Sequence, residues 1–237
     1  MAIVTRRVDY QDQGVALRGR VYFDDSLGPR PAVLVSHAWG GRNSFSNGQA
    51  EKLAKLGYVG FALDMYGAGV SGETVQECSA LMTPLMEDRT MLARRIKLAV
   101  ATVQALPEVD AARIAAIGFC FGGLCVLDLA RSGAEVRGVV SFHGLLKGNG
   151  LPAKKITAKA LVLHGDADPL APFEDVIAFR DEFNVAGNDW QLHAYGKTLH
   201  AFSTPGANMP AMGIVHNARA EARSMKSMQD FLAEVLA

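Results

Sequence analysis

The chain has 237 residues, of which 49% are hydrophobic and 20% are charged, a balance typical of a globular protein that can bury a sizeable core. Lysine and arginine together number 24, as do aspartate and glutamate, so the formal net charge is zero. This neutrality excludes a strongly basic surface of the kind that binds nucleic acid or anionic membranes, and we expect neither partner.

The cysteines and the N-terminus together predict a cytoplasmic protein. The N-terminus carries basic residues without an apolar segment, so it does not resemble a signal peptide, and no run of apolar residues is long enough to predict a transmembrane helix. Cys78, Cys120 and Cys125 are odd in number and contain no CxxC pair. We therefore expect no disulfide framework, no bound metal and a reducing compartment.

The first two predicted strands, at about residues 3–10 and 15–23, alternate apolar and polar side chains and are expected to form an antiparallel pair. Short apolar runs follow, too short for buried helices and mostly without alternation, as is typical of strands covered on both faces of a parallel sheet. These runs comprise residues 32–36, 58–63, 114–118, 138–142, 160–163 and 190–195.

Helical patterns separate the apolar runs. Apolar residues recur with helical spacing within residues 47–56, 88–106, 121–132, 173–184 and 218–236. Because strands and helices alternate, we predict one α/β domain over residues 1–237, with a doubly wound, mostly parallel sheet and helices on both faces. The least regular segment, residues 67–88, is a candidate for a small cap over a site.

A predicted strand-to-helix turn at Cys120 carries the first catalytic motif. The sequence from Gly118 to Gly122, GFCFG, matches the nucleophile-elbow pattern G-x-S-x-G with cysteine in place of serine. So sharp a turn requires very small residues two positions before and after the nucleophile. Amides at the start of the following helix favour negative charge and lower the pKa of the thiol. Free cysteines are commonly core residues, our interpretation of Cys78 and Cys125, but this context favours Cys120 as a nucleophile.

Candidates for the acid and the base follow in the order expected after such an elbow. Asp166 and Asp168 come directly after the predicted strand at 160–163, and we prefer Asp168, which precedes a proline, while Asp166 fits a turn. His200 lies in the loop after the predicted strand at 190–195 and is the preferred base. The histidines interpreted as strand-end, turn or surface residues are His143, His164, His193 and His216.

The loop after the first parallel strand is the candidate oxyanion hole. Acyl transfer builds negative charge on a carbonyl oxygen, and one preorganised N–H donor stabilises it by roughly 2.7–4 kcal/mol. In this arrangement the donors come from the residue after the nucleophile and from the first loop, which nominates the amides of Phe121 and Ala38. The same loop also fits a plain glycine turn.

A dinucleotide-binding turn is an alternative for residues 67–72, whose sequence GAGVSG matches G-x-G-x-x-G. The match lies outside the first strand–helix unit, and no helix clearly begins within it. Residues 64–71 also match D-x-x-G-x-G-x-S, a turn common in α/β hydrolases. We therefore expect no nucleotide cofactor.

The elbow, the HGDADP sequence at residues 164–169, the HAF sequence at 200–202 and the DMY sequence at 64–66 together resemble the dienelactone hydrolase family. The resemblance extends over nearly the whole chain. It implies an α/β-hydrolase fold and a hydrolase of small esters or lactones that needs no cofactor and acts as a monomer or small homo-oligomer.

The chain departs from dienelactone hydrolase itself at positions around the site. In that enzyme a glutamate in the first loop binds the resting thiol. His37 occupies the corresponding position in this chain, where it either holds or ionises Cys120 or simply forms part of the loop. The two arginines that bind the substrate carboxylate correspond to residues 67–68 and Thr204, which are not arginines. The residues that would make a more apolar pocket are Trp39, Phe119, Phe121 and Phe202.

The sequence thus predicts hydrolysis of an ester or lactone through an acyl-cysteine, with His200 as base oriented by Asp168. One alternative uses the same triad for thioester hydrolysis or acyl transfer. Another alternative is not enzymatic: the fold would have lost its hydrolase activity, and an exposed thiol of low pKa would sense oxidants or bind a ligand. A dinucleotide-dependent oxidoreductase is the third alternative.

Overall fold

Eight strands form one sheet in the computed structural model, which describes residues 2–151 and 155–237. In chain order they are β1 (Ile3–Asp12), β2 (Val15–Asp24), β3 (Arg30–Ser36), β4 (Val59–Ala62), β5 (Val109–Phe119), β6 (Gly138–Phe142), β7 (Lys159–Gly165) and β8 (Trp190–Tyr195). Their spatial order is β1-β2-β4-β3-β5-β6-β7-β8. The β1–β2 and β2–β4 pairs are antiparallel and the others are parallel, which confirms the predicted mostly parallel sheet.

Helices cover both faces of this sheet, as predicted, and the described residues contain six of them where the sequence pattern predicted five. They are α1 (Ser44–Lys55), α2 (Val75–Glu87), α3 (Arg89–Gln104), α4 (Phe121–Arg131), α5 (Phe173–Val185) and α6 (Ala218–Val235). None of the helices in the described part of the chain combines the length and the apolar character that crossing a membrane requires.

The apolar run of β3 shows why the central strands lack alternation. Ala32 and Leu34 enter the core beneath α2, α3, α4 and α5, whereas Val33 and Val35 enter the core beneath α1 and α6. Both faces of the strand are therefore buried, so each position favours an apolar residue. The carboxyl ends of the parallel strands then meet at one edge, where the site lies.

Residues 67–88 were expected to be the least regular segment, but residues 75–87 of it form helix α2. Thr74 Oγ1 accepts from the backbone N–H of Glu77, and the Glu77 carboxylate accepts from the N–H of Thr74, which forms a capping box. The helix buries only Cys78 and Leu85, and it contains Pro84, so its apolar pattern is weak. The capping signal T-x-x-E was present in the sequence and was missed.

The turn before α2 packs against the first loop. Asp64 Oδ1 accepts from the amides of Tyr66 and Gly67, and the N–H of Gly72 donates to the carbonyl of Gly40. The glycine-rich segment therefore closes on its own aspartate, and α2 begins only at Val75. This geometry is that of the D-x-x-G-x-G-x-S turn rather than of a phosphate-binding helix N-terminus.

Candidate active site

Cys120 lies at the sharp turn between β5 and α4. Its backbone has φ 56° and ψ −118°, a strained conformation that typically costs about 1–3 kcal/mol. A Cβ on Gly118 would lie 1.9 Å from the carbonyl oxygen of Gly122, and one on Gly122 would lie 2.2 Å from that of Ser36. Backbone segments thus approach so closely that only glycine fits at both positions, and the strain holds the thiol at the edge of the sheet.

Asp168 and His200 form a buried pair beside this turn. His200 Nδ1 donates to Asp168 Oδ2 over 2.7 Å, and the two side chains are 1% and 0% exposed. The other carboxylate oxygen of Asp168 accepts from the N–H of Leu170 at 2.8 Å. Asp166, the competing candidate, is exposed at the surface. The structure therefore brings Asp168, and not Asp166, to the histidine.

A short ribbon absent from the predicted elements holds the backbone of His200. It consists of β9 (Asn208–Met209) and β10 (Ile214–Val215). The N–H of His200 donates to the carbonyl of Gly213 at 2.8 Å, and its carbonyl accepts from the N–H of Val215 at 3.0 Å. The histidine is thus fixed at both its backbone and its ring.

The electrostatics of the site favour an ion pair between Cys120 and His200. His200 Nε2 is buried without a hydrogen-bond partner among the described residues. Burial opposes charge on both groups, but the attraction between the thiolate and the imidazolium outweighs it. The pKa of the Cys120 thiol is therefore lowered, and the pKa of His200, which Asp168 also supports, is raised.

The backbone amides of Phe121 and Trp39 also contribute to the lowered pKa of the Cys120 thiol. The amide of Ala38 stays a prediction, and Trp39 is a further candidate donor from the same loop. The Ala38 carbonyl accepts from His37 Nδ1 at 2.7 Å and from the N–H of Gly41 at 3.1 Å. In a trans peptide the N–H of Trp39 points to the side opposite this carbonyl.

His37 belongs to the loop and leaves no ring nitrogen for Cys120. Its Nε2 accepts from the backbone N–H of Met65 at 3.1 Å, so the proton lies on Nδ1, which donates to Ala38. Burial lowers the pKa of His37 and keeps the ring neutral. His37 therefore shapes the first loop and neither holds nor ionises the thiol.

The aromatic residues expected around the substrate lie mostly beneath the site. Phe119, Phe121 and Phe202 are completely buried, so their rings support the catalytic groups instead of lining an open pocket. Trp39 is only partly buried and retains exposed surface. Of the four, Trp39 is therefore the one that a substrate can reach.

His143 was not predicted to be a catalytic residue, yet its ring packs edge-to-face on that of His200 with centroids 5.1 Å apart. Its Nε2 lies 2.9 Å from the hydroxyl of Ser203. Burial and the neighbouring charge of His200 hold the pKa of His143 well below its usual range, so the ring is neutral. The signal available in the sequence was its position directly after β6, next to the nucleophile strand.

The described residues contain no cluster of three or more histidine, cysteine, aspartate or glutamate side chains that could hold a metal ion. The arrangement brings together a thiol on a strained turn, a histidine held by a buried carboxylate, and the amides of Phe121 and Trp39 that contribute to the lowered pKa of the thiol.

Comparison with known proteins shows which family the chain is similar to. The model of the dienelactone hydrolase family matches residues 17–236. A solved structure described as a dienelactone hydrolase-like promiscuous phosphotriesterase from metagenomic libraries is 37% identical, with both chains fully covered and a TM-score of 0.94.

Two curated sequences are also similar to this chain. An uncharacterised protein of Caenorhabditis elegans is 37% identical over 150 residues, which are 62% of this chain and 95% of that protein. A protein of Aquifex aeolicus (strain VF5) named as a carboxymethylenebutenolidase is 29% identical over 200 residues, 82% of this chain and 85% of that protein. With a family match over nearly its whole length and the α/β-hydrolase fold, the chain belongs to the dienelactone hydrolase family of hydrolases.

Proposed function

We propose that the protein hydrolyses carboxylic esters or lactones through an acyl-cysteine at Cys120. The observation that carries the proposal is the buried His200–Asp168 hydrogen bond of 2.7 Å beside a cysteine held on a strained turn. A sensor thiol would need no carboxylate-oriented histidine, whereas a nucleophile that must release an alcohol does.

The chemistry proceeds in two halves. The Cys120 thiolate attacks the carbonyl carbon, and the amides of Phe121 and Trp39 stabilise the resulting oxyanion. The tetrahedral intermediate collapses as the imidazolium of His200 gives its proton to the leaving alkoxide. His200 then takes a proton from water as the water attacks the acyl-cysteine, and the thiolate leaves as the carboxylic acid forms.

The proposed substrate is uncharged near the scissile bond. Gly67, Ala68 and Thr204 occupy the positions where the resemblance would place carboxylate-binding arginines. Without them, a substrate carboxylate would lose its solvation without gaining an ionic partner. A neutral ester or lactone avoids this cost, and the exposed part of Trp39 offers it an apolar contact.

The test is stopped-flow hydrolysis of p-nitrophenyl acetate, with intact mass measured during turnover. We expect a burst of nitrophenol and an acetyl adduct that maps to Cys120, and loss of both in Cys120→Ala. Cys125→Ala, which removes a fully buried thiol from α4, is the matched control and should retain both. Turnover without an adduct, or an active Cys120→Ala, would contradict the proposal. Thioester substrates and added alcohols in the same assay separate ester hydrolysis from thioesterase or transferase activity.

Phosphotriester cleavage is a second candidate activity. It is favoured by the full-length similarity to the promiscuous phosphotriesterase and by the absence of arginines at residues 67–68 and Thr204, because a phosphotriester is also uncharged. Cys120 would displace an aryloxide from phosphorus, and water would then hydrolyse the phosphoryl-cysteine. Paraoxon, assayed in the same way, should give nitrophenol and a diethylphosphoryl adduct on Cys120. Release of nitrophenol by Cys120→Ala at the wild-type rate would reject this route.

A further inference from the structure

Tyr66 packs against both residues whose amides contribute to the lowered pKa of the Cys120 thiol. Its hydroxyl donates to the carbonyl oxygen of Trp39 at 2.9 Å. Its ring stacks on that of Phe121, with centroids 5.7 Å apart and an interplanar angle of 25°. It also meets the ring of His37 edge-on at 4.8 Å. Tyr66 therefore joins the nucleophile turn and the first loop through a single side chain.

The amide of Trp39 is held from both ends by hydrogen bonds. On one side, the Ala38 carbonyl accepts from His37 Nδ1 and from the N–H of Gly41. On the other side, the Trp39 carbonyl accepts from Tyr66. With the carbonyls before and after it fixed, the direction of the Trp39 N–H is determined by these partners.

Tyr66 is itself anchored to rigid elements. Its N–H donates to Asp64 Oδ1 at 2.9 Å. The preceding carbonyl, that of Met65, accepts from Arg95 Nη1 at 2.8 Å, and Arg95 Nε donates to Asp12 Oδ2 at 2.9 Å. These contacts tie the segment to the end of β1 and to α3, so the phenol reaches Trp39 from a fixed position.

The hydroxyl of Tyr66 is a donor throughout the neutral range. Burial, together with the neighbouring thiols, raises the pKa of the phenol, so it keeps its proton. Tyr66 is 8% exposed, and this proton is committed to the Trp39 carbonyl. It is therefore not placed to act on substrate directly.

We infer that Tyr66 is a positioning residue that directs the Trp39 N–H towards the developing oxyanion and thereby sets the rate of acylation. The inference rests on the proposed acyl-cysteine mechanism. A whole oxyanion donor is worth roughly 10²–10³ in kcat, and a donor that is loosened but still present should cost less, on the order of tenfold.

The test variant is Tyr66→Phe, which removes one oxygen and leaves the ring contacts in place. We expect the burst rate with p-nitrophenyl acetate to fall at least ~10-fold, with KM changed by less than about threefold. Alkylation of Cys120 by iodoacetamide creates no oxyanion. Its rate at high pH, where the thiol is fully ionised, should therefore equal the wild-type rate. A merely structural defect would lower both rates.

Tyr10→Phe is the matched control. The Tyr10 hydroxyl donates to the Asp64 carbonyl and accepts from the Asp64 N–H, both at 2.9 Å, so the variant also loses a buried phenol oxygen at the same segment. It makes no contact with Trp39 and should acylate within about twofold of wild type.

The outcomes separate the two claims. If the wild type shows a burst and an adduct but Tyr66→Phe acylates at the same rate, the positioning role is wrong and the proposed function stands. If the wild type forms no adduct, both are wrong. Should Tyr66→Phe not fold, His37→Gln removes the side-chain donor to the Ala38–Trp39 peptide, whose carbonyl also accepts from the N–H of Gly41, while His37→Asn can retain a donor to Ala38. The asparagine variant should then acylate faster than the glutamine variant, and the reverse order would overturn the inference.

Discussion

Replacing Gly118 by alanine tests whether close backbone approach creates the nucleophile turn. The added Cβ would lie 1.9 Å from the carbonyl oxygen of Gly122 and 2.3 Å from its carbonyl carbon, whereas real Cβ contacts stay beyond 3.0 Å. The turn must therefore open by roughly 1 Å, and the obstructing atoms are backbone atoms that cannot rotate away. Overpacking typically costs ~1–3 kcal/mol, and we expect a value near the upper end, ~3 kcal/mol, because the neighbours cannot yield.

Thermal unfolding and the acylation burst measure this effect. In a domain of this size 1 kcal/mol lowers Tm by about 2–4 °C, so the expected decrease is about 6–12 °C. A shift of about 1 Å at a reacting group can cost ~100-fold in rate, and the burst rate should fall by at least that factor.

Gly48→Ala is the matched control for the same substitution in α1. A Cβ there meets nothing within 4 Å, and alanine is favoured over glycine inside a helix by roughly 0.5–1 kcal/mol. Its Tm should rise slightly with full activity. If Gly118→Ala kept the wild-type Tm and burst rate, steric crowding would not be what shapes the turn.

Three further predictions follow from the site and its supports. His200 lowers the pKa of Cys120, so the rate of its alkylation by iodoacetamide should begin to fall at a lower pH in the wild type than in His200→Asn. In the variant, burial opposes ionisation of the thiol without the imidazolium to offset it, and identical pH profiles would contradict the ion pair. Asp168→Asn removes the charge that supports imidazolium and should reduce kcat by ~10²–10⁴-fold, measured on p-nitrophenyl acetate; full activity would reject its role. Asn43→Ala removes the cap of α1 and should cost about 1 kcal/mol in urea unfolding with unchanged kcat; an unchanged urea midpoint would show that the cap adds nothing.

The nucleophile turn was predictable because part of its cause is local. Gly118 is required by the carbonyl of Gly122 within the same turn, although Gly122 is required by the carbonyl of Ser36 at the end of β3. The buried central strands were predictable for a similar reason, since both faces of β3 require apolar side chains. Helix α2 was not recognised because its contribution to the core is small, although its cap was visible at Thr74 and Glu77.

The candidate role of the Trp39 amide was not predicted because its direction depends on contacts distant in sequence. His37 turns the Ala38 peptide only because its other nitrogen is occupied by the amide of Met65, 28 residues away. The proximity of His143 to His200 likewise follows from the order of strands in the sheet and from an edge-to-face contact between rings. Sequence patterns identify residue types at strand ends, but not which strand ends become neighbours.

The strand order has a consequence for how the protein acquires its activity during folding. Strand β3 pairs with β5 across two strand–helix connections, and Cys120, Asp168 and His200 follow β5, β7 and β8. Parallel strands that are distant in sequence pair slowly, because the chain loses the conformational entropy of closing the loop before the contacts between the strands stabilise it. The catalytic groups therefore converge only when the last parallel strand and the β9–β10 ribbon have docked. On refolding from denaturant, helical circular dichroism should return before the proposed hydrolysis of p-nitrophenyl acetate, and the rate of that hydrolysis would report completion of the sheet.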